Sequence, residues 1–326
     1  MRAIVIREPG GPEVLEMRDV PRPEPSLGEV RVRIRATAVN RADLLQRIGR
    51  YPAPPGAPAD IPGLEIAGEV DAVGDAVTEF AVGDRVFGLV GGGAYAEYVV
   101  VHARTLARPP ASLGFPDAAA VPEAFVTAWD ALIDQGHLAA GETVLVHAAG
   151  SGVGTAALQI AKAVGALGLG TARSAEKLAR CRELGLEDGI LVEDGTFVNE
   201  VLARTEHRGA DVVLELVGGP YVQQDLACLA PKGRIIVVGT LAGTHAELDL
   251  HVLMRKRAHV RGTVLRARPL EEKIATAQTL ERHLAPLFAR GSLHPVVDCV
   301  LQLEQAAEAH RLMQSNQTFG KIVLAV

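Results

Sequence analysis

The feature that most constrains the fold is the segment at residues 143–166, TVLVHAAGSGVGTAALQIAKAVGA. An apolar strand over 143–147 leads into a turn of small residues, and an alanine-rich helix is predicted over 155–164. Small residues let a backbone approach a pyrophosphate closely, and the start of a helix supplies free N–H groups and a positive dipole end. The segment therefore predicts a dinucleotide site on a parallel sheet.

The glycine pattern in this turn is a variant of the usual fingerprint. The positions of G-x-G-x-x-G fall on Ala149, Ser151 and Gly154, with Gly152 between them. A second register, Gly152, Gly154 and Ala157, fits G-x-G-x-x-A with an offset of one residue. The structural alternative is a glycine turn that packs against its sheet and binds nothing. We favour a cofactor because strand, turn and helix follow in the required order.

The residues after the next strand indicate which dinucleotide binds. An NAD site has an acidic residue about 20 positions after the fingerprint, but LGLGTARSAEK at 167–177 has no acid at the strand end. It offers Arg173, Ser174 and Lys177, which suit a 2′-phosphate, and Ser174 can also cap the following helix. NADPH is therefore favoured over NADH. The alternative is that both cations only cover a helix surface, with Glu176 neutralising one of them.

The chain divides into two segments that differ in their pattern of predicted strands and helices. Residues 1–118 alternate short β-rich runs with turn signals, which predicts a mainly antiparallel β domain. The runs are at 3–6, 28–39, 65–74 and 96–101, and the proline-rich segment 51–63 predicts an extended loop. Residues 119–265 alternate apolar strands with helices, as in a doubly wound parallel sheet covered on both faces. Further strands are predicted at 211–217, 233–240 and 259–265, with a helix over 221–229.

Residues 266–326 are expected to return to the first domain. Two amphipathic helices are predicted, at about 269–290 and 303–315, followed by a last short strand, KIVLAV. His147 ends a buried strand, so we interpret it as a hydrogen-bonded core histidine rather than an acid or base.

Composition excludes several classes of function. The chain has 326 residues, which favours more than one domain, and its formal net charge of −6 gives no attraction to nucleic acid or anionic membranes. Three scattered cysteines, Cys181, Cys228 and Cys299, suit neither a disulfide framework nor a four-thiolate zinc site. The chain shows no signal segment and no apolar run of membrane-spanning length, so we expect a cytoplasmic protein without a membrane partner.

Several motifs together resemble the zinc-free quinone oxidoreductases, the zeta-crystallin-like branch of the medium-chain dehydrogenase/reductase superfamily. The nearest likeness is to the tumour-suppressor-inducible quinone oxidoreductase subgroup. The resemblance runs from end to end and implies an α/β fold, with a Rossmann sheet beside a GroES-like, mainly β catalytic domain. The motifs are VNRADLLQRIGRYPAPPG at 39–56, PGLEIAGEV at 62–70, VGDRVFGL at 82–89, HAAGSGVGTAA at 147–157, VLRAR at 264–268 and FGKIVL at 319–324.

The same resemblance implies that a catalytic metal is missing. Zinc-bearing relatives have a cysteine ligand where this chain has Asn40, and a histidine after the glycine where it has Gly63-Leu64-Glu65. The cysteine-rich lobe that holds a structural zinc is absent as well. No metal Lewis acid is therefore expected to polarise the acceptor.

The resemblance also assigns roles to individual residues. It implies that Asn40, Asp43 and Tyr51 are catalytic and lie near the nicotinamide and the acceptor. Val192 stands where relatives commonly have a tyrosine against the cofactor, so cofactor affinity is expected to be weaker than usual. The implied cofactor-binding residues are Thr127 at the nicotinamide, Ser151, Gly152, Val153 and Gly154 at the pyrophosphate, Arg173, Ser174 and Lys177 at the 2′-phosphate, and Val192, Gly239, Thr240, Leu241, Leu265, Arg266, Gly320 and Lys321 along the rest of the cofactor.

Three functions remain open at this stage. The first is NADPH-dependent quinone reduction, in which Tyr51 and Asn40 orient the acceptor oxygen and water supplies protons. The second is reduction of enoyl or alkenal double bonds, which needs a proton donor and would recruit Tyr51. The third is NADPH binding without catalysis.

Residues 259–265 are predicted as an edge strand that pairs with its copy in a homodimer. For Tyr51 and Asn40, the alternative to a catalytic role is a structural one, in which Tyr51 is a packed loop aromatic and Asn40 is a turn residue.

Overall fold

The computed structural model describes residues 1–326, which form fifteen strands and eleven α-helices. The strands are β1 Arg2–Ile6, β2 Leu15–Asp19, β3 Glu29–Ala38, β4 Glu65–Val73, β5 Arg85–Leu89, β6 Tyr98–His102, β7 Leu106–Ala107, β8 Thr143–Val146, β9 Leu167–Ala172, β10 Leu186–Leu191, β11 Ala210–Glu215, β12 Leu229–Val237, β13 His259–Gly262, β14 Val297–Gln302 and β15 Lys321–Ala325. The α-helices are α1 Arg41–Arg47, α2 Phe115–Ala119, α3 Pro122–Trp129, α4 Gly152–Val164, α5 Ala175–Cys181, α6 Val198–Arg204, α7 Tyr221–Cys228, α8 Leu250–Lys256, α9 Leu270–Thr279, α10 Ala285–Ala289 and α11 Ala306–Ser315.

The chain divides into two compact units. The first comprises Met1–Val126 and Leu265–Val326, and the second comprises Thr127–Val264.

The second unit is built on a six-stranded, wholly parallel sheet. Its strand order is β10-β9-β8-β11-β12-β13, so the chain winds outward from β8 first on one side and then on the other. Every residue of β11 is buried, as expected for a strand covered on both faces. This order is that of a doubly wound Rossmann sheet, and it confirms the predicted fold class. Ligands of such sheets bind outside the carboxyl ends of the strands, where the winding reverses.

Helix α4 begins at Gly152, three residues earlier than the sequence-based estimate of 155. Glycine has low helix propensity, so Gly152 and Gly154 give little sequence signal for a helix start. The side chain of Ser151 accepts a hydrogen bond from the Gly154 N–H, and this cap fixes the first turn despite its two glycines. The helix ends at Gly165, whose φ of 80° is left-handed.

The first unit is mainly β, as predicted. A seven-stranded sheet runs β14-β15-β3-β4-β5-β7, with β6 also paired to β3, and β1 and β2 form a separate ribbon. Strand β15 comes from the end of the chain and pairs antiparallel with β3, with Val323 opposite Ala38. This pairing brings the Lys321 side chain to Asn40, which lies just beyond β3.

Three further details differ from the sequence-based predictions. Strand β13 ends at Gly262 rather than at residue 265, and all four of its residues are exposed at the sheet edge. The predicted helix over 269–290 contains a π-helical segment, Leu280–Leu284, before α10. The last predicted helix begins with a 3-10 turn, Leu303–Gln305. Residues 51–63 form no helix or strand, as predicted. None of the helices combines the length and the apolar character that crossing a bilayer requires.

Candidate cofactor and acceptor sites

The turn between β8 and α4 has the geometry of a phosphate-binding loop. Ala148 has a left-handed φ of 47°, which reverses the chain after the strand. The Thr155 N–H bonds to the Ser151 carbonyl at 2.8 Å, and the Gly154 N–H bonds to Ser151 Oγ at 3.0 Å. The N–H groups of Gly152 and Val153 precede the first bond of the helix and have no partner within it. These two half-buried donors are available to an anion.

Gly154 serves the packing of α4 against β8, whereas its neighbours Gly152 and Val153 offer free N–H groups. A Cβ at this position would lie 2.5 Å from the Ala148 carbonyl oxygen and 2.6 Å from that of Ala149. Its missing side chain therefore lets the helix approach the strand, and its own N–H is already bonded to Ser151. Direct contact between Gly154 and a phosphate remains a prediction.

The cations predicted to hold a 2′-phosphate lie just beyond β9. Arg173 directly follows the strand and is exposed, and Ser174 caps α5 by accepting the Lys177 N–H at 3.4 Å. The predicted cap is thereby confirmed. Strands β8 and β9 are neighbours and parallel, so both turns lie at the same edge of the sheet. This is the arrangement that the predicted binding of the NADPH pyrophosphate at one turn and of its 2′-phosphate at the next requires.

The other predicted cofactor residues of the second unit are scattered around the strand ends. Val192 follows β10, is 3% exposed and packs in the core, while Leu241, after β12, is 53% exposed. Gly239 and Thr240 lie between β12 and Leu241, and the Gly239 N–H bonds to the Glu215 carbonyl at 3.2 Å. Thr127 is 6% exposed, and its Oγ1 has no hydrogen-bond partner in the chain. A buried hydroxyl without a partner is costly, so a bound ligand would stabilise it.

A buried polar cluster lies beneath this edge. His147 Nε2 is 2.7 Å from Asp225 Oδ1, and Nδ1 is 2.8 Å from the Thr171 hydroxyl. Burial lowers the pKa of His147 to about 4, which keeps the ring neutral, and it raises the pKa values of Glu215 and Asp225 to about 7. Glu215 Oε1 accepts the N–H groups of Val217 and Gly218 and thereby shapes the turn after β11. The interpretation of His147 as a hydrogen-bonded core residue is confirmed.

In the first unit, Asn40, Glu65 and Lys321 form one buried network. Lys321 Nζ donates to Asn40 Oδ1 at 2.6 Å and to Glu65 Oε1 at 2.7 Å. The Asn40 amide donates to Glu65 Oε1 at 2.7 Å and to the Ala38 carbonyl at 3.2 Å. Glycine at 320, with a φ of 89°, turns the chain into β15 just before Lys321. Both N–H groups of Asn40 are thus used within the protein, which is unfavourable to the predicted contact with an acceptor.

Asp43 connects this network to a chain of buried side chains. Its Oδ2 accepts the Asn40 N–H and the Tyr95 hydroxyl, and its Oδ1 accepts the Gly63 N–H. Arg47, which can only donate, bonds to His310 Nδ1 at 3.0 Å, so the proton of the neutral ring is on Nε2 and points to the Tyr95 oxygen. Burial raises the pKa of Asp43 to about 6 and lowers that of His310 to about 3. Asp43 positions the loop at Gly63 and α1 through these bonds.

Tyr51 lies against Arg266. The guanidinium carbon is 5.2 Å from the centroid of the tyrosine ring, and Arg266 also donates to the carbonyls of Tyr51 and Gly91 and to the Gln46 side chain. The Tyr51 hydroxyl itself has no hydrogen-bond partner in the chain, and burial raises its pKa. It is therefore free to donate to a ligand.

A pocket opens beside Arg266 within the first unit. Its walls are largely apolar, and the space inside it, with the adjoining solvent, amounts to about 500 Å³. A mostly apolar pocket with a few polar groups is typical of small-molecule sites. The apolar lining includes Leu64, Leu89, Val90, Val126, Leu265 and Leu280, and the polar lining consists of Thr105, Glu123, Arg266, Lys273 and Thr276.

Sequence reasoning missed Glu123, and it treated Glu65 only as the position of a missing zinc ligand. Glu65 is fully buried and joins β4 to the Lys321 network. Glu123 lines the pocket, and its N–H donates to Glu65 Oε2 at 2.7 Å. One signal was available, because Glu123 is the single charged residue in AAAVPEAFVTAW at 118–129, a run that is otherwise largely apolar.

Comparisons with known proteins place the chain in a family. Residues 26–111 match the alcohol dehydrogenase GroES-like domain, and residues 152–282 match the family described as zinc-binding dehydrogenase. A quinone oxidoreductase of Pseudomonas aeruginosa is 38% identical over 320 residues, 97% of this chain and 96% of that protein. A quinone oxidoreductase of Lama guanicoe is 35% identical over 328 residues, 99% of this chain and 97% of its own.

Solved structures and larger proteins give further matches. The structure of Escherichia coli quinone oxidoreductase complexed with NADPH superimposes with a TM-score of 0.90, 29% identity and full coverage of both chains. The phthioceranic/hydroxyphthioceranic acid synthase of Mycobacterium tuberculosis is 38% identical over 208 residues, 64% of this chain. The matching part covers only 10% of the length of that synthase.

A Rossmann sheet and a GroES-like β unit in one chain define the medium-chain dehydrogenase/reductase superfamily, and this chain belongs to it. Its relatives over nearly its whole length include quinone oxidoreductases.

Proposed function

We propose that the chain reduces quinones with NADPH and without a metal. The observation that carries this proposal is the pair of turns at one edge of the parallel sheet, one with unpaired N–H groups at Gly152 and Val153, the other with Arg173 and Ser174. The likeness to quinone oxidoreductases over nearly the full chain, and to a relative solved with NADPH, supports the same assignment.

The residues present fit NADPH chemically. Gly152 and Val153 would hold the pyrophosphate through their N–H groups, and Arg173, Ser174 and Lys177 would hold the 2′-phosphate. Thr127 Oγ1, buried without a partner, would find one on the ligand. When bound, the reduced nicotinamide supplies the hydride, and the protein supplies binding and orientation.

The residues at the zinc position of zinc-bearing relatives do not fit a catalytic zinc. Zinc is held by thiolates, imidazoles and carboxylates, whereas Asn40 offers an amide. Glu65 is engaged by the Lys321 ammonium at 2.7 Å, a positive charge that would repel a metal ion. We therefore propose that acceptor polarisation comes from side chains alone.

On the acceptor side, Tyr51 is the best candidate for a hydrogen bond to the substrate oxygen. Its hydroxyl is unpaired, and its ring is fixed by Arg266, which also lines the apolar pocket. Asn40 would act indirectly by holding Lys321 and Glu65 in place. An apolar pocket with one or two donors suits a planar carbonyl compound such as a quinone.

Reduction of activated carbon–carbon double bonds is the second candidate. The unpaired Tyr51 hydroxyl favours it, because such an activity needs the same cofactor and a proton donor beside the acceptor. NADPH binding without turnover is the third.

We further propose a cytoplasmic homodimer. Strand β13 is an exposed edge strand of the parallel sheet, and such an edge can pair with a second copy. All three cysteines are free, which is in keeping with a reducing compartment. A monomeric mass in solution would contradict the dimer.

The test is NADPH oxidation measured over a panel of quinones and α,β-unsaturated carbonyls. We expect turnover with quinones at a higher kcat/KM than with the unsaturated carbonyls. The reverse order would favour the second candidate, and saturable NADPH binding without turnover on any acceptor would favour the third.

A further inference from the structure

Glu123 is an acid without a partner on the wall of an apolar pocket. It lies in the first turn of α3, and its backbone N–H donates to Glu65 Oε2 at 2.7 Å. Its own carboxyl group makes no hydrogen bond or ion pair in the chain. The neighbouring acids differ, because Glu65 pairs with Lys321 and Asp43 accepts three hydrogen bonds.

The surroundings of Glu123 favour its protonated form. Burial raises its pKa to about 8, and Glu65 and Asp43 add to the rise, while Lys321 and Arg266 oppose it. The start of α3 also favours a negative charge, yet the net direction is upward. Lys273 also lines the pocket, and Tyr51, which lies against Arg266, interacts electrostatically with Glu123. The protonated form of Glu123 is therefore favoured at pH 7.

Glu123 is a better proton donor than Tyr51. A general acid works best when its pKa lies near the working pH, whereas burial raises the pKa of Tyr51 above its ordinary value of 10.0. The two side chains therefore have separate roles: Tyr51 donates a hydrogen bond, and Glu123 transfers a proton.

Building on the proposed function, we infer that an acceptor binds in this pocket with its carbonyl oxygen at Glu123, which transfers its proton to that oxygen during reduction. The acceptor would be a planar, largely apolar carbonyl compound, since the polar groups occupy only part of the lining. This makes Glu123 a catalytic residue and water its source of replacement protons.

The step balances in atoms and charge. A quinone gains a hydride from the reduced nicotinamide and becomes a hydroquinone monoanion, and the O–H bond of Glu123 breaks as a new O–H bond forms on the product. Oxidised nicotinamide, neutral hydroquinone and a Glu123 carboxylate result. The positive charges of Lys321 and Arg266 favour that carboxylate electrostatically until water returns a proton.

The test compares Glu123→Gln, which keeps the shape but cannot give a proton, with the exposed control Glu281→Gln. We expect kcat for a benzoquinone to fall at least tenfold in Glu123→Gln, with the Kd for NADPH changed less than twofold. Wild-type kcat should decline as the pH rises past about 8, and this decline should vanish in the variant. Glu281→Gln should match the wild type in all respects.

A second readout does not depend on turnover. The infrared difference between wild type and Glu123→Gln, without cofactor, should show a protonated carboxylic acid at pH 7 that is lost by pH 10. Glu123→Asp, which keeps an acid, should shift this band and retain more activity than the amide, and it replaces Glu123→Gln if that variant does not fold. An ionised Glu123 at pH 7, or wild-type kcat in Glu123→Gln, would overturn the inference alone. Absence of any turnover in the wild type would overturn the proposed function and the inference together.

Discussion

Lys321 and Glu65 form a buried ion pair of 2.7 Å although they are 256 positions apart in the chain. The pair exists because β15 returns from the end of the chain to lie against β3, which places Lys321 beside Asn40. The ammonium thus fixes the positions of the Asn40 and Glu65 side chains, and the other carboxylate oxygen of Glu65 accepts the Glu123 N–H at the start of α3.

Removing this ammonium should destabilise the fold. In Lys321→Met, Glu65 and the Asn40 side-chain oxygen Oδ1 would be left buried without their charged partner, at a cost of about 3–5 kcal/mol. Urea denaturation measures the effect. The control is Lys232→Met at an exposed position, where we expect a change within about 0.5 kcal/mol. Equal stability of the two variants would refute the structural role of the pair.

The hydrogen-bonded pair of Tyr95 and His310 predicts an acid-sensitive stability. The pKa of His310 is about 3 in the folded protein, below its ordinary value of 6.5, because the ring is buried and faces Arg47. Its contribution to stability is therefore complete above pH 6.5 and is lost as the pH falls toward 3. Between pH 7 and pH 4 the unfolding free energy should drop by on the order of 2 kcal/mol more in the wild type than in His310→Gln.

Denaturant titrations at the two pH values provide this comparison, with His283→Gln as the exposed control. The control should keep the full acid sensitivity of the wild type. If His310→Gln kept it as well, the ring would not be the source.

The cations beyond β9 should select the cofactor. Arg173→Ala and Lys177→Ala should each weaken NADPH binding about tenfold, equivalent to ~1.4 kcal/mol, and leave NADH binding unchanged. Fluorescence titration of both dinucleotides measures this selectivity. Arg180→Ala, later in α5, is the matched control and should behave as the wild type. Parallel losses for NADPH and NADH would contradict recognition of the 2′-phosphate.

Tyr51→Phe should lower turnover without disturbing the fold. The change removes an unpaired hydroxyl and keeps the ring over which Arg266 lies, so we expect kcat for quinones to fall about tenfold with a small change in KM. Steady-state kinetics with a benzoquinone measures the effect, and Tyr98→Phe is the control. Unchanged kcat in Tyr51→Phe would exclude the hydroxyl from the reaction, and unchanged turnover in the double variant with Asn40→Ala would exclude both roles.

The local features of the fold could be predicted from sequence. The strand, the small-residue turn and the Ser174 cap depend on neighbouring residues, and each lies within a few positions of its predicted place. The predicted start of α4 is three residues late, because glycine has low helix propensity and the Ser151 cap compensates for it in the folded chain. The end of β13 was placed too late because apolar residues continue past the point where pairing with β12 stops.

The site was less predictable because its contacts join residues that are far apart in the sequence. Tyr95 and His310 meet across 215 positions, and Glu123 and Glu65 across 58. Nothing in the periodicity of either segment fixes those distances, and the pKa values of Glu123 and Asp43 follow from burial that only the tertiary structure defines.

Titration of the purified protein with NADPH and, separately, with NADH tests the central claim most directly. We predict saturable binding of both, with a Kd for NADPH at least about tenfold lower, because only NADPH carries the phosphate that Arg173, Ser174 and Lys177 are arranged to hold. No saturable association with NADPH, or tighter binding of NADH, would contradict the account.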